Sequence, residues 1–369
     1  MAKSPVFFAD FRTTGAENIT KKMQRLMKCA GFGQLELDGR FVAIKMHFGE
    51  LGNLAFLRPN YARAVADMVK AAGGRPFLTD CNTLYVGGRR NALDHLDTAV
   101  LNGFTPQTVG CNIIIGDGLK GTDEVEVPVP GVHCTSALIG RAVMDADVVI
   151  SLTHFKGHEM MGIGGAVKNL GMGCGSRGGK MIMHSDGKPE LDEGRCIGCG
   201  ACQRVCAHGA LVRGAKRTMT VDHNRCAGCG RCIGVCPRDA LYPEYGRQSI
   251  RVLDEKTAEY ALAVVRNRPS FHISVICDVS PNCDCHSEND APVIPNIGML
   301  ASFDPVALDV ACVDLCRQAP RLCNTLFDGV KAGDGDPFNE LHPDTHWRDA
   351  IEHAVRIGLG NAEYELKKI

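Results

Sequence analysis

Eight of the nineteen cysteines fall between residues 196 and 236, in two runs of identical spacing. Cys196, Cys199, Cys202 and Cys206 form the first, and Cys226, Cys229, Cys232 and Cys236 repeat it 30 residues later inside a longer duplicated segment that begins at Arg195 and again at Arg225. In a C-x2-C-x2-C-x3-C run, three thiolates cap three irons of a cubane cluster from one tight loop, and the fourth reaches across to a neighbouring cluster. A zinc site needs four ligands from two CxxC knuckles, a different spacing. Glycines 198, 200, 228 and 230 suit the cluster reading, because backbone amides must come close to the sulfurs. The pattern therefore predicts two 4Fe-4S clusters and chemistry by single electrons.

Three other groups could act on a ligand. Lys45, His47 and Glu50 stand at the end of a predicted strand, where ligand crevices of parallel sheets open. His154, Lys156 and His158 follow another strand in the same topological position, and the two histidines, four residues apart, could share one helix face. Eight glycines between 162 and 179 then leave the backbone free to lie against an anion, with Gly164, Gly165, Lys168, Asn169, Arg177 and Lys180 as the candidate contacts. A phosphate, a carboxylate or flavin mononucleotide would fit such a segment, and a flexible tether is the competing reading. Farther on, Cys283 and Cys285 stand with Cys277, Asp284 and His286, a set that could hold one soft metal ion or consist of buried or reactive thiols. Cys29, Cys81, Cys111, Cys134, Cys312, Cys316 and Cys323 read as small core residues.

Composition narrows the partners. The 41 Lys and Arg against 42 Asp and Glu predict no polyelectrolyte attraction to nucleic acid or anionic lipid. Locally, residues 191–250 carry nine basic against five acidic residues, which could attract an acidic redox partner protein. The first ten residues meet an acid after four apolar ones, too few for a secretion signal, and no apolar run approaches the ~18 residues of a membrane span. A cytoplasmic protein is expected, and there such cysteine abundance points to metal or redox chemistry rather than disulfides.

Alternating strands and helices must position these groups. Strands are predicted over 6–10, 41–46, 76–80, 112–116, 147–152, 271–277 and 298–302, and helices over 61–72, 91–102 and 136–146. Asp304 followed by Pro305 opens a further helix. The order predicts an α/β host domain with a mostly parallel sheet and helices on both faces. Because strands resume after the cysteine runs, a small cluster-binding domain at 189–247 is expected to interrupt a host made of 1–188 and 248–369.

The cysteine runs resemble the bacterial two-cluster ferredoxins, small α+β domains, over about 60 residues with all eight ligand positions filled. That resemblance implies Cys196, Cys199, Cys202 and Cys236 at one cluster and Cys226, Cys229, Cys232 and Cys206 at the other; Ala207 departs from the usual proline. The host motifs, at 42–50, 154–158 with 165–170, 283–285 and 297–309, resemble the domain of unknown function 362 family, which often carries a fused ferredoxin module. The resemblance covers nearly the whole chain and implies an architecture but no reaction. Three functions are compatible: an iron-sulfur oxidoreductase delivering low-potential electrons to a small anionic substrate or second cofactor in the host crevice; a non-catalytic electron-carrier subunit; and a metal-handling or maturation protein.

Overall fold

Runs of Val, Ile, Leu and Phe bounded by charged or glycine-rich turns form the centre of the computed structural model. Described are residues 3–85, 87–185, 187–214, 218–243, 249–330, 333 and 335–369. Eight strands make one sheet: β1 (Ser4–Asp10), β2 (Phe41–Lys45), β3 (Arg75–Asp80), β4 (Asn112–Ile115), β5 (Val148–His154), β6 (Ser270–Ile276), β7 (Gly298–Ser302) and β8 (Tyr364–Lys368). Their order is 8-1-7-6-5-2-3-4. β7 runs against both its neighbours, and every other pairing is parallel. The protein is thus mixed α/β with a large, mostly parallel sheet.

Alternate side chains feed two cores. Ala43 and Val149 point into one, while Val42, Ile44, Val148 and Ile150 point into the other. With both faces covered, β5 is buried at every position, which is why it reads as an apolar run without alternation. Chain order reverses between β5 and β2: β2, β3 and β4 lead to one edge and β5 and β6 toward the other. At such a switch point the connections diverge and leave a crevice beyond the strands' carboxyl ends.

Two predicted elements differ in the structure. The expected helix over 136–146 is a strand, Ser136–Gly140, followed by one helical turn, Arg141–Met144. Pairing with Glu124–Pro128 buries alternate residues there and outweighs helical periodicity. The glycine-rich segment is no tether: it forms α1 (Ala166–Cys174) and α2 (Arg177–Ser185), both largely buried. Its glycines serve packing. At Gly171 a Cβ would overlap the carbonyl oxygen of Thr257 in α3 (Ile250–Val265). Gly171→Ala is therefore expected to push α1 off α3 and cost roughly 1–3 kcal/mol, read as a lower denaturation midpoint; an unchanged midpoint would contradict this packing.

Residues 189–243 build a third, smaller core. Pro189–Leu191 pairs with Leu241–Pro243, and Leu211–Arg213 pairs with Met219–Val221. One short helix, Ala201–Val205 or Arg231–Gly234, follows the second cysteine of each run. Cys202, Cys232, Ile233 and four other residues pack there with Leu84 and Met181 of the larger body. The expected boundary at 247/248 lies outside the described residues. Cys29 and Cys323 are exposed rather than in a core, whereas Cys81, Cys111, Cys134, Cys312 and Cys316 are buried. No helix among the described residues is long and apolar enough to cross a membrane.

Candidate functional site

The carboxyl ends of β2, β3 and β5 and the loop after β6 line a crevice of about 390 Å³. Lys45 ends β2 and Asp80 ends β3, and their buried side chains meet at 2.9 Å. Lys45 Nζ also donates to Asn169 Oδ1 at 2.7 Å, which ties the strand end to α1. Burial alone would raise the Asp80 carboxyl, but Lys45, His47, His95 and Arg89 hold it well below the usual carboxylate range.

The loop after β6 contributes Cys283, Asp284, Cys285 and His286 as a β-turn, closed by the His286 amide donating to the Cys283 carbonyl at 3.2 Å. Nearly every group of the turn is fastened. The fully buried Asp284 carboxylate receives Lys156 at 2.8 Å, with His154 at 3.2 Å and His47 at 3.7 Å. The Asp284 carbonyl accepts from the Glu50 amide at 2.9 Å. Tyr85 Oη and Arg89 donate to the Cys285 carbonyl at 2.9 and 3.3 Å, and Asn53 donates to that of His286 at 2.9 Å. Glu50 in turn holds Arg89 at 3.0 Å. Burial opposes the charge on Lys156, yet Asp284 and Cys283 raise its pKa.

His154 and His158 do not share a helix. His154 ends β5, its ring nitrogens facing the Cys277 carbonyl at 2.7 Å and Asp284. His158 ends a short strand, Lys156–His158, which doubles back on Gly162–Gly164. Its Nδ1 accepts the amides of both Met160 and Met161 at 3.1 Å, so in the neutral ring the proton sits on Nε2. His47 follows the same rule: Nδ1 accepts from the Gly49 amide at 2.9 Å, and Nε2 has no hydrogen-bond partner among the described residues. Burial, reinforced by the Arg89 charge, lowers the His47 pKa to about 3.

Cys283 Sγ, Cys285 Sγ and a nitrogen of His158 lie within 4.8 Å of one another. Lys168 Nζ is 3.6 Å from Cys283 Sγ. The Cys285 thiol, ahead of Lys168, Lys156 and His158, draws the Cys283 pKa well below the ordinary thiol value although burial opposes it; the same contact raises Cys285.

Residues 42–314, which enclose the whole crevice, match the family model described as Domain of unknown function (DUF362). The chain belongs to that family. A stretch of 150 residues of this DUF362 protein is 31% identical to the thylakoid-associated protein sll1697 of Synechocystis sp., covering 39% of this chain and 42% of that one. The chain thus spans less than half of that relative's length. Two solved structures align at low similarity. The lactate racemase apoprotein from Thermoanaerobacterium thermosaccharolyticum has 12% identity and a TM-score of 0.38 over 74% of this chain and 51% of that one. A Thermotoga maritima protein has 11% identity and a TM-score of 0.41 over 81% and 58%.

Of the residues singled out in the sequence, the DUF362 crevice brings together Lys45, His47, His154, Lys156, His158, Gly164, Gly165, Lys168, Asn169, Lys180, Cys283 and Cys285. Gly165 allows close approach: a Cβ would stand 2.5 Å from the Asp309 carboxylate, which accepts the first amides of α1 at 2.6 and 2.9 Å. Glu50 lies behind the lining, paired with Arg89. Arg177 lies elsewhere, donating to the Thr83 carbonyl at 3.3 Å and packing against Gly234 of the second cysteine run. Sequence reasoning missed Asp80, Tyr85 and Arg89. Asp80 carried the same strand-end signal as Lys45, whereas Tyr85 and Arg89 sit in an irregular loop with no periodic mark.

Four of the cysteines, Cys196, Cys199, Cys202 and Cys236, line one small cavity. Backbone amides aim at sulfur in both runs: Ala210 to Cys206 at 3.3 Å and, at the duplicated position, Ala240 to Cys236 at 3.2 Å. Met219 donates to Cys196 and Gly228 to Cys226, each at 3.4 Å.

The turn has one exposed fastening. His286 Nε2 meets Glu159 Oε1 at 2.9 Å, and this hydrogen bond, ahead of burial, raises the His286 pKa above 6.5. A raised histidine pKa stabilises the fold below the unfolded value, and the contribution is lost as pH climbs through the folded value. Both groups are about a third or more exposed, so the pair is worth about 0–1 kcal/mol. An NMR titration of the His286 ring should give a midpoint above 6.5 that falls in Glu159→Gln; a midpoint at or below 6.5 in the parent contradicts the pairing.

Proposed function

We propose that this DUF362 protein is an iron-sulfur oxidoreductase whose residues 189–243 carry two 4Fe-4S clusters and pass electrons to a ligand in the host crevice. The donor set fits such clusters. Four thiols converge on one cavity, in the grouping that places the last cysteine of one run with the first three of the other, and amides point at sulfurs from equivalent positions of both copies. Bound clusters would supply one-electron steps at low potential.

The observation that carries delivery to the crevice is the position of Leu84. It belongs to the small core with Cys202 and Cys232, a Cβ on Gly230 would touch it at 2.9 Å, and it also lines the crevice. One side chain separates the second cysteine loop from the ligand space. Arg177 secures that contact, bonding the host loop at Thr83 while its guanidinium lies over Gly234. On the ligand side, Lys168 and the Nε2–H of His47 offer positive charge and a hydrogen-bond donor, which suits a small molecule bearing carboxylate or phosphate. Asn169, held between Lys45 and the β5 end by bonds of 2.7 and 3.0 Å, keeps the opening in register.

Protein purified without oxygen is expected to hold about eight irons per chain, and Cys202→Ser to lose about half of them. A full iron complement in the variant, or none in the parent, overturns the assignment.

A further inference from the structure

We propose that Cys283 and Cys285 form a redox-active dithiol that reduces a small disulfide entering the crevice. The inference deepens the reading above, on which its electron supply rests.

The two sulfurs lie within 4.8 Å of each other on one β-turn, close enough for a disulfide to form by side-chain rotation. The turn is held through the Asp284 carboxylate and the carbonyls of Asp284, Cys285 and His286, so its backbone keeps its place while the two side chains rotate.

A metal ion is the other use for two thiols and an imidazole, and the hydrogen bonds speak against it. A ligating histidine donates from its second nitrogen to an acceptor. His158 does the reverse: two amides donate into Nδ1, so in the neutral ring Nε2 holds the proton, and the ring offers the two sulfurs within 4.8 Å a donor rather than a lone pair to a cation. Lys168 places a further positive charge 3.6 Å from the Cys283 sulfur, and Glu159 and His286 are engaged with each other. Asp284 Oδ1 also stands 3.6 Å from that sulfur, with its charge already paired to Lys156 at 2.8 Å, which leaves Lys168 as the cation facing an anionic sulfur. Cys283 is 1% exposed and is reached through the crevice, which selects a small molecule over a protein disulfide.

The reaction balances. The Cys283 sulfur attacks one sulfur of the substrate, the substrate S–S bond breaks, and the departing thiolate takes the proton of Cys285. The Cys285 sulfur then attacks Cys283, releasing the second half as a thiolate and leaving the Cys283–Cys285 disulfide. Two electrons, arriving by the route proposed above, and one proton restore the thiolate–thiol pair.

The test uses full-length protein purified without oxygen, with cystine as probe. One cystine should yield two cysteines per chain, and peptide mapping should find the loss of two hydrogens on the segment holding Cys283 and Cys285. Cys285→Ser should stop after one exchange, trapped as a mixed disulfide on Cys283. Cys283→Ser should abolish exchange at this turn while its melting curve stays that of a folded protein. Exchange confined to exposed Cys29 or Cys323, or one zinc ion per chain held tightly and lost in Cys283→Ser, overturns the proposal. The exchange itself needs no iron. Exchange without regeneration by dithionite refutes the electron route and leaves the dithiol standing; cluster reduction without exchange does the opposite.

Discussion

Replacing Lys156 with methionine is expected to lower stability by roughly 3–5 kcal/mol, because it leaves Asp284 charged and buried without its closest cation. His154 at 3.2 Å and His47 at 3.7 Å remain, but His47 resists protonation in its buried position. Removing both charges, as in Lys156→Met with Asp284→Leu, should recover much of the loss, since two apolar groups then replace a desolvated pair. Urea denaturation of the three proteins measures this. A single-variant change below about 1 kcal/mol would place the pair among weak surface contacts and remove the anchor assigned to the Cys283–Cys285 turn.

The second large effect concerns iron removal. Among the described residues, the small core of 189–243 gathers nine buried side chains in one cluster, two of them, Leu84 and Met181, from outside the segment and two of them the cluster-ligand candidates Cys202 and Cys232. So small an apolar core is marginal by itself, and under the proposed function cluster ligation would supply the missing stability. Stripping iron with an oxidant and chelator should raise amide exchange across 189–243 by roughly a hundredfold or more, while β2, β5 and β6 stay protected. Unchanged protection in that segment would mean that it folds without metal. Equal loss in the central sheet would mean that the host depends on the segment for its own stability.

How far each feature was legible follows from what its residues do. The polar groups at the ends of the second and fifth strands stand out because apolar runs stop near them; the structure ends β2 at Lys45 rather than 46 and β5 at His154 rather than 152, and the switch point brings the two together. Asp304 and Pro305 opened a helix as expected, with the carboxylate accepting the amides of Val306 and Ala307. The glycine-rich stretch is ambiguous in sequence, because glycine marks both loose backbone and close helix packing; contacts such as the Thr257 carbonyl above Gly171 and the Leu138 carbonyl above Gly179 show the packing role. α3 carries no amphipathic stripe in sequence, because it is buried on nearly all sides and Asp254, Glu255 and Glu259 interrupt its apolar residues. In the crevice, the motif Cys283–His286 announced reactive chemistry, but the choice between ion and dithiol depended on two amides bonding to His158, which no spacing records.

The proposed function requires single-electron carriage by the duplicated cysteine segment. Electron paramagnetic resonance on anaerobic protein, before and after dithionite, tests it most directly. Two clusters should give a silent oxidised sample and, on reduction, the signal of two neighbouring centres, lost in part when Cys202 or Cys232 becomes serine. A colourless protein that stays silent after dithionite and holds zinc instead of iron would contradict it.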